Sequence, residues 1–436
     1  MLRTITQTLS RVVTGRSANS NVKAGVLERP VVLNSNDDHA DPQVIRLLVN
    51  TIFDGDKDLI EAAQVAVLDT GSIKSLAHAE ALIGEYVQSA LQDGHYYASR
   101  LAAAFYTHKA RSEANWNAYS PSTKPKPSAV YWPNPCSKDA TNLRTELPYV
   151  HKYPLIDKKT AIASAGSCFA VEIAYALQRE GYNYVVKEPN VCPQGTYRFK
   201  DADIRPFVTS SAAWGVHFNT PSFLQLVEKA FGYRRPAKIL WTTKGSNGET
   251  VYCDPFREEV EFPTIEGFEK NYDAHLAAVR SVFLETEVFI ITLGLNEVWY
   301  FKPDGTAFSR SPWRTAPSLV EHKILTVEEN VELLQRMLDI LREHNPNLKL
   351  IVTLSPVPLH ATFFGDKHVV EANTHSKAVL RCAAETFVRM NKDVFYFPSF
   401  ELITTCLQDP WDTDQRHVSR AAVDRVMEMF HQMYSR

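Results

Sequence analysis

Residues 161–170 read AIASAGSCFA, a short apolar run that ends in a glycine and is followed at once by two side chains able to act as nucleophiles. The apolar run predicts a buried strand, and the spacing of the apolar residues after it predicts a helix. A strand, a tight turn and a helix in this order place Ser167 and Cys168 at the carboxyl edge of a sheet, beside the unpaired N–H groups of a helix N-terminus. This placement suits attack on a carbonyl carbon.

Beyond residue 155, apolar runs typical of strands alternate with helical patterns. The strands are predicted at 161–164, 182–186, 238–242, 288–293, 348–354 and 394–397. This alternation predicts an α/β fold with a parallel sheet covered on both faces, and with catalytic groups at the carboxyl ends of its strands. Before the fifth strand, Thr326 and Glu329 form a capping-box pattern at the start of a helix that runs to about His344.

The composition of the 436-residue chain changes along its length. Residues 1–38 are basic and rich in Ser, Thr and Asn, which predicts a flexible tail, with an amphipathic targeting peptide as the alternative. Residues 40–112 carry apolar positions at helical spacing and predict a small N-terminal helical domain. Closely spaced prolines then indicate a linker over 113–155, followed by a catalytic domain over 156–436.

Composition and charge exclude several functional classes. The chain is 44% hydrophobic and 22% charged with a net charge of −3, so neither nucleic acid nor an anionic membrane is an expected partner. No apolar segment is long enough to span a membrane, and the six cysteines form no C-x-x-C pair. We therefore expect a cytoplasmic protein with reduced thiols, no metal site and no phosphate-binding loop.

The string Gly-Ser-Cys-Phe-Ala and the blocks that follow it resemble the GSCFA family, a largely bacterial group placed among the SGNH or GDSL-like hydrolases. The further blocks, in order, are WGVHFNTP at 214–221, ITLG at 291–294, SPVP at 355–358, SKA at 376–378, YFPS at 396–399 and a late Asp and His. The resemblance extends from about residue 160 to about residue 433. It implies a three-layer α/β/α sandwich of flavodoxin-like, SGNH-hydrolase-like type.

The nucleophile has two candidates under this resemblance. Aligned without a shift on the Gly-Asp-Ser start of SGNH hydrolases, Cys168 takes the nucleophile position and Ser167 takes that of the Asp; a shift of one residue makes Ser167 the nucleophile. A helix N-terminus lowers the pKa of a thiol, which favours Cys168. The structural alternative is that Cys168 is a small buried hydrophobe and Ser167 only a helix N-cap.

The acid and base are implied by a D-x-x-H block near the end of the chain. Asp414 and His417 have this spacing, and a turn of three residues lets the carboxylate reach the imidazole and fix its tautomer. His417 would act first as general base and then as general acid. Asp412 is the alternative orienting group, and a solvated acidic loop is the structural alternative.

The oxyanion donors in SGNH enzymes are the N–H of the nucleophile, a glycine N–H and an Asn side chain. The matching positions here are Gly215, Gly294 and Asn296, with Glu297 where those enzymes carry Asp. Asn219 could fill the role of Asn296.

Together these residues predict an SGNH-like esterase or O-acyltransferase that acts on O-acyl groups, acetyl above all, through a covalent acyl-enzyme. No cofactor is expected, although acetyl-CoA is a candidate acyl donor. A saccharide substrate is suggested by the relatives of the fold and by Trp214, Trp299 and Trp313, whose rings could stack on sugars. The alternative is a non-catalytic binding or scaffold protein on a degenerate hydrolase fold, with residues 40–112 as the surface for a protein partner.

Overall fold

The computed structural model describes residues 31–32, 59–60, 76–92, 130, 132–136, 141–245, 248–312 and 314–436. These residues fall into two compact units. The smaller unit contains 234–242 and 299–323 together with the described residues before 116, and the larger unit contains the rest. All the candidate catalytic and oxyanion residues lie in the larger unit.

Helices and strands alternate through most of the larger unit. The helices, in chain order, are α1 (Leu76–Gln92), α2 (Cys168–Arg179), α3 (Thr220–Phe231), α4 (Ile265–Glu285), α5 (Val327–His344), α6 (Val369–Met390), α7 (Ser399–Glu401) and α8 (Arg420–Tyr434). The strands are β1 (Val31–Val32), β2 (Ile162–Gly166), β3 (Arg198–Phe199), β4 (Ile239–Lys244), β5 (Thr250–Cys253), β6 (Val260–Phe262), β7 (Val288–Leu293), β8 (Glu297–Phe301), β9 (Thr306–Phe308), β10 (Val320–Ile324), β11 (Lys349–Leu354) and β12 (Val394–Phe397).

A four-stranded parallel sheet organises the larger unit, in the order β12, β11, β7, β2. On the other side of β2, Tyr184 adds a single parallel bridge to Ile162. The segment that follows β2 therefore lies on one side of this strand, whereas the later strands β7, β11 and β12 lie on its other side. Such a reversal opens a crevice at the carboxyl ends of the strands, where α/β proteins bind their ligands. The predicted α/β fold with a parallel sheet is confirmed.

Two of the six predicted strands do not join this sheet. The segment 182–186 forms only the bridge at Tyr184, so its apolar residues pack without forming a strand. The segment predicted at 238–242 is a strand, β4, but it pairs in parallel with β1, with Val31 opposite Ile239. A run of apolar residues predicts an extended segment but does not choose its partner, because pairing depends on distant parts of the chain.

Both faces of the parallel sheet are buried. Ala163 and Ala165 of β2 pack in one hydrophobic cluster with side chains of α3, α4, α5 and α6. Ile162 packs in a second cluster with side chains of α2 and α8. Because neighbouring residues of a strand point to opposite faces, burial on both sides explains why these strands are apolar throughout.

The predicted start of α5 is confirmed. Thr326 Oγ1 accepts a hydrogen bond from the N–H of Glu329 at 3.2 Å, and the N–H of Thr326 donates to Glu329 Oε2 at 2.9 Å. This reciprocal pair is a capping box, which satisfies two N–H groups that the first turn of the helix leaves unpaired.

The predicted tail over 1–38 and most of the region predicted over 40–112 lie outside the described residues. Within that region, α1 has the predicted helical spacing, and it buries Ile83, Tyr86 and Val87. In the described part of the chain, no helix combines the length and the apolar character needed to cross a membrane.

Candidate active site

The two candidate nucleophiles at the end of β2 differ in their exposure to solvent. Ser167 is the N-cap residue of α2 and is only 2% exposed, and its Oγ makes no hydrogen bond although it is buried. Cys168 is the first residue of α2 and keeps partial exposure. A substrate that approaches the carboxyl edge of the sheet therefore has easier access to Cys168 than to Ser167.

Gly166 sets the close packing beneath this turn. In the sheet register it lies opposite Thr292 of β7. A Cβ atom at Gly166 would lie 2.7 Å from the Cβ of Thr292 and 2.9 Å from that of Ala170, distances that side-chain carbon atoms do not tolerate. The missing side chain thus lets α2 begin directly above the neighbouring strand.

The thiol of Cys168 does not have the lowered pKa that its position on a helix suggested. Burial raises its pKa, and this effect outweighs the Arg416 guanidinium and the N–H groups of Phe169 and Cys168, which act in the opposite direction. The sequence expectation was wrong in direction because the helix N-terminus and the burial compete at the same atom. Cys168 is thus a protonated thiol at neutral pH and needs a base to become a nucleophile.

Lys377 is a buried side chain at the carboxyl edge of the sheet, and the sequence analysis did not assign it a role. Lys377 is 3% exposed, and its Nζ donates to the carbonyl oxygens of Gly294 and Val357, each at 2.9 Å. Burial lowers the pKa of Lys377 to about 7, Cys168 opposes this shift and Arg416 adds to it. The sequence contained a signal for the burial of Lys377, because its spacing places it on the apolar face of α6 together with Leu380.

The Asp414 and His417 pair forms the contact that the D-x-x-H spacing predicted. Asp414 Oδ2 lies 2.5 Å from His417 Nδ1, and Asp414 Oδ1 accepts hydrogen bonds from the N–H groups of Arg416 and His417. These bonds hold the pKa of the Asp414 carboxyl down at about 2. The carboxylate therefore stays charged and holds the imidazole with Nδ1 as donor and Nε2 as acceptor.

The loop that carries this pair is fixed at its base. Trp411 and Val418 form an antiparallel bridge, and the N–H of Asp412 donates to the carbonyl of His417 at 2.8 Å. Gln415, at the tip, has a φ of 55°, a left-handed conformation that closes the turn. The side chains of Asp414 and His417 remain about half exposed, at 47% and 46%.

Arg416 lies in the same loop as the exposed pair, and its charge acts on the partly exposed thiol of Cys168. Its Nε donates to the carbonyl of Pro358 at 3.2 Å, which attaches the loop to the segment after β11. Burial raises the pKa of Cys168 and the charge of Arg416 opposes that rise. Burial likewise raises the pKa of Glu172, one turn into α2, against the opposing charges of Arg179 and His417. Among the described residues, however, no hydrogen bond joins His417 to Cys168 or Ser167.

The four predicted oxyanion residues lie at the same edge of the sheet and make structural contacts there. Gly215 has a φ of 72°, and a Cβ there would lie 1.9 Å from the carbonyl oxygen of Glu258. Asn219 caps α3 by accepting from the N–H of Ser222 at 2.9 Å. The N–H of Gly294 donates to the carbonyl of Phe218 at 2.9 Å.

Asn296 is buried in a network of its own. Its Nδ2 donates to the carbonyl of Leu325 at 2.8 Å, and its Oδ1 accepts from Asn330 Nδ2 at 2.9 Å. The residue is 0% exposed. These bonds join the end of β7 to the start of α5, so the side chain of Asn296 already has structural partners.

Several buried polar groups at this edge make no hydrogen bond. They are Ser167 Oγ, Thr292 Oγ1, Ser355 Oγ and both ring nitrogens of His217. Burial lowers the pKa of His217 to about 3, so its ring is neutral, and it packs against Phe223. The backbone N–H of His217 donates to the carbonyl of Gly166 at 2.8 Å, which places this residue directly behind the turn.

A family model matches most of this unit. It is described as the GSCFA family, and it covers residues 161–430, from the start of β2 into α8. The chain belongs to the GSCFA family. The matched region includes both candidate nucleophiles, Lys377 and the Asp414 and His417 pair. No curated protein matches this chain.

Three solved structures are similar to this GSCFA chain at low scores. A Clostridium thermocellum family 3 carbohydrate esterase is 13% identical, with a TM-score of 0.23, and the match covers 63% of this chain and 95% of that one. A Corynascus thermopiles (Myceliophthora fergusii) carbohydrate esterase family 2 enzyme with its carbohydrate binding domain is 12% identical, with a TM-score of 0.27 and coverages of 64% and 66%. An acetyl xylan esterase from the rumen bacterium Butyrivibrio proteoclasticus is 14% identical, with a TM-score of 0.22 and coverages of 56% and 56%.

Proposed function

We propose that this protein is an SGNH-like acyl-transfer enzyme on an α/β/α fold, and that it cleaves O-acyl esters through a thioester on Cys168. The observation that carries the proposal is the arrangement at the carboxyl edge of the sheet. A partly exposed thiol stands at the first position of α2, and the loop before α8 holds an acid–base pair of Asp414 and His417. The charge of Arg416, which lies next to His417, acts on the thiol. A nucleophile, a base and a group that orients the base are the parts that acyl transfer needs.

The chemistry takes two steps. The sulfur of Cys168 attacks the ester carbonyl, a C–S bond forms, and the C–O bond to the alcohol breaks. His417 takes the proton of the Cys168 thiol and gives it to the departing alkoxide. It later takes a proton from water or from an acceptor hydroxyl, which attacks the thioester, and returns that proton to the departing sulfur. Asp414 keeps the imidazole in one tautomer throughout, because its carboxyl stays ionised.

The oxyanion would form above the N-terminus of α2. The first N–H groups of a helix have no partner within the helix, so those of Cys168 and Phe169 are available to a negatively charged oxygen. The N–H of Gly215 and the side chain of Asn219 are the further donors that we propose. The N–H of Gly294 is a weaker candidate because it donates to Phe218.

A small acyl group fits this site best. The thiol is only partly exposed, so a short acetyl group reaches it more easily than a long acyl chain. We therefore propose an O-acetyl ester, with a saccharide as the alcohol, and acetyl-CoA as the alternative acyl donor. Trp214 does not provide a stacking surface for a sugar, because it is 0% exposed and stacks on Phe283. Trp313 lies outside the described residues.

The test is the mass of the intact protein after brief exposure to an activated acetyl ester or to acetyl-CoA. We expect one acetyl adduct in the wild type and in Ser167→Ala, and none in Cys168→Ala. Cys382→Ala is the matched control, because Cys382 is an exposed thiol on α6 that could be acetylated without catalysis. An adduct that survives Cys168→Ala would overturn the assignment. No adduct with either donor would favour the non-catalytic scaffold.

A further inference from the structure

The backbone N–H of Gly215 is a donor that no neighbouring group occupies. Gly215 is buried, and its N–H makes no hydrogen bond to any residue that the structure describes. Such a group is rare in folded proteins, because burial removes its bonds to water and the fold normally replaces them. The N–H of Gly215 is therefore available to a negatively charged oxygen, and its direction depends on the segment that carries it.

Two buried side chains hold Ala213, two residues before Gly215. Glu188 Oε2 accepts a hydrogen bond from the N–H of Ala213 at 2.8 Å, and Arg257 Nε donates to the carbonyl oxygen of Ala213, also at 2.8 Å. Both side chains are buried. Hydrogen bonds to ionised groups are stronger than those between neutral groups, so the peptide groups on both sides of Ala213 are firmly held.

Glu188 is fixed in turn by buried partners. His275 Nδ1 lies 2.6 Å from Glu188 Oε2, and Asn271 Nδ2 donates to Glu188 Oε1 at 3.4 Å. Asn271 Oδ1 accepts from Arg257 Nη1 at 2.8 Å, which closes the network. Burial raises the pKa of Glu188, but His275, Arg257 and the N–H of Ala213 outweigh it and hold the pKa down at about 2. Glu188 is therefore a carboxylate at neutral pH.

The segment that Glu188 holds at Ala213 ends against the turn that carries the nucleophile. The N–H of His217 donates to the carbonyl of Gly166 at 2.8 Å, and Gly166 directly precedes the two candidate nucleophiles. Between these ends, Gly215 lies so close to the backbone of Glu258 that a Cβ would be 1.9 Å from its carbonyl oxygen. The N–H of Gly215 thus belongs to a short segment that is held at both ends and packed in the middle.

We propose that Glu188 is a positioning residue for acyl transfer, and that through Ala213 it holds the N–H of Gly215 in the direction that binds the oxyanion. This inference rests on the proposed function and deepens it. Among the described residues, no hydrogen bond joins Glu188 to Cys168 or His417, so Glu188 acts through the backbone. A donor that is held in place before the reaction stabilises the developing charge without reorganising.

The alternative is that the network around Glu188 only stabilises the fold. A change at Glu188 would then lower the free energy of unfolding and leave the turnover of each folded molecule unchanged. A positioning role instead predicts a lower kcat with an unchanged KM, because the oxyanion forms only as the reaction proceeds and is absent from the bound ester.

Two conservative variants separate the charge of Glu188 from its hydrogen bond to Ala213. Glu188→Gln keeps an oxygen at the same reach but removes the charge, whereas Glu188→Asp keeps the charge on a side chain that is too short for this bond. For p-nitrophenyl acetate, we expect kcat to fall by about 10²-fold in Glu188→Asp with KM unchanged, because small misplacements have effects of that size. Glu188→Gln should keep the wild-type kcat although it is less stable, since Arg257 loses its counter-charge. An unchanged kcat in Glu188→Asp would overturn the proposal.

Glu228 provides the matched control. It is a buried carboxylate on α3 that pairs with Arg336 at 2.7 Å. We expect Glu228→Asp and Glu228→Gln to lower the free energy of unfolding and to leave kcat unchanged. If kcat fell as far in Glu228→Asp as in Glu188→Asp, the loss would be a general effect of disturbing a buried charge, and Glu188 would have no positioning role.

Amide hydrogen exchange of the peptide 211–218, measured by mass spectrometry, tests the hold on this segment without ester turnover. We expect faster exchange in Glu188→Asp and wild-type exchange in Glu188→Gln. Unchanged exchange in Glu188→Asp would overturn the proposal even if kcat fell. Turnover that Glu188→Asp leaves unchanged contradicts this inference alone, whereas a wild-type protein without turnover contradicts the proposed function and the positioning role together.

Discussion

The buried and the exposed halves of the site control charge in opposite ways. On the buried side, Cys168 and Lys377 lie among packed strands and helices, and burial shifts both toward their neutral forms. On the exposed side, three hydrogen bonds keep Asp414 ionised in a solvated loop, with a pKa of about 2. Burial therefore favours the uncharged forms in the buried half, whereas hydrogen bonds hold a charge in the exposed half.

The largest effect is expected from the exposed half. Asp414→Asn keeps an oxygen that can accept the loop N–H groups, but it removes the charge that holds the tautomer of His417. We expect acyl transfer to fall by about 10² to 10⁴-fold in His417→Ala and in Asp414→Asn, because a positioned acid–base group contributes roughly that much. The measurement is the rate of acetyl-ester turnover at pH 7.

Asp412→Asn is the matched control for this prediction. Asp412 lies in the same loop and is exposed, but its carboxylate accepts from the N–H of Thr413 and not from His417. We expect its turnover rate to equal that of the wild type. If Asp412→Asn and Asp414→Asn lost activity equally, the fixed charge would not belong to the Asp414 and His417 pair.

The next effect concerns the packing that holds the buried half in place. Gly166→Ala would push a Cβ against Thr292 and Ala170, and we expect it to lower the free energy of unfolding by about 3 kcal/mol. Gly181→Ala is the control, because Gly181 has a φ of 76° and no atom within 4 Å of an added Cβ. It should cost only about 1 kcal/mol, the backbone strain alone. Urea unfolding of both variants checks this, and equal losses would contradict the close packing at Gly166.

A dependence of stability on pH should distinguish the two halves further. The folded pKa of Lys377, about 7, is below its ordinary 10.5, so between these values the unfolded chain binds a proton that the folded chain does not. The free energy of unfolding therefore rises with pH in this window, by about 1.4 kcal/mol per pH unit from this residue. The raised pKa of Cys168 acts only above its ordinary 9.0.

Comparison of wild type with Lys377→Met between pH 7 and pH 9 isolates this contribution. We expect the slope of the unfolding free energy against pH to be smaller in the variant by about 1 kcal/mol per pH unit. Identical slopes would show that Lys377 keeps an ordinary pKa in the folded protein, and the buried half would then hold a fixed charge as the exposed half does.

The parts of the site that depend on short segments could be predicted from the sequence. The strand and helix around residues 161–170, the capping box of α5 and the contact between Asp414 and His417 each involve residues at most a few positions apart. Local geometry decides such features, and the residue types are sufficient to recognise them. The parallel sheet followed in the same way from the alternation of strands and helices.

The parts that depend on distant contacts could not be predicted. Lys377 reaches carbonyl groups 83 and 20 positions away, and these contacts give a helical lysine its buried environment. The pKa of Cys168 depends on a balance between burial and Arg416 that only the packed chain sets. Likewise, the N–H of Gly294 is engaged by Phe218, which no motif reveals.

The smallest expected effect tests whether the network at Asn296 belongs to the site or only supports it. Thr326→Ala removes the side-chain cap of α5 and should lower the free energy of unfolding by about 1 kcal/mol. Asn330, on the first turn of α5, would still hold Asn296, and the carbonyl of Leu325 would still accept from it. We therefore expect unchanged ester turnover. A loss of turnover in the folded variant would mean that a small displacement of Asn296 weakens the binding of the oxyanion. Asn296 would then be part of the catalytic site as well as of the network that supports it.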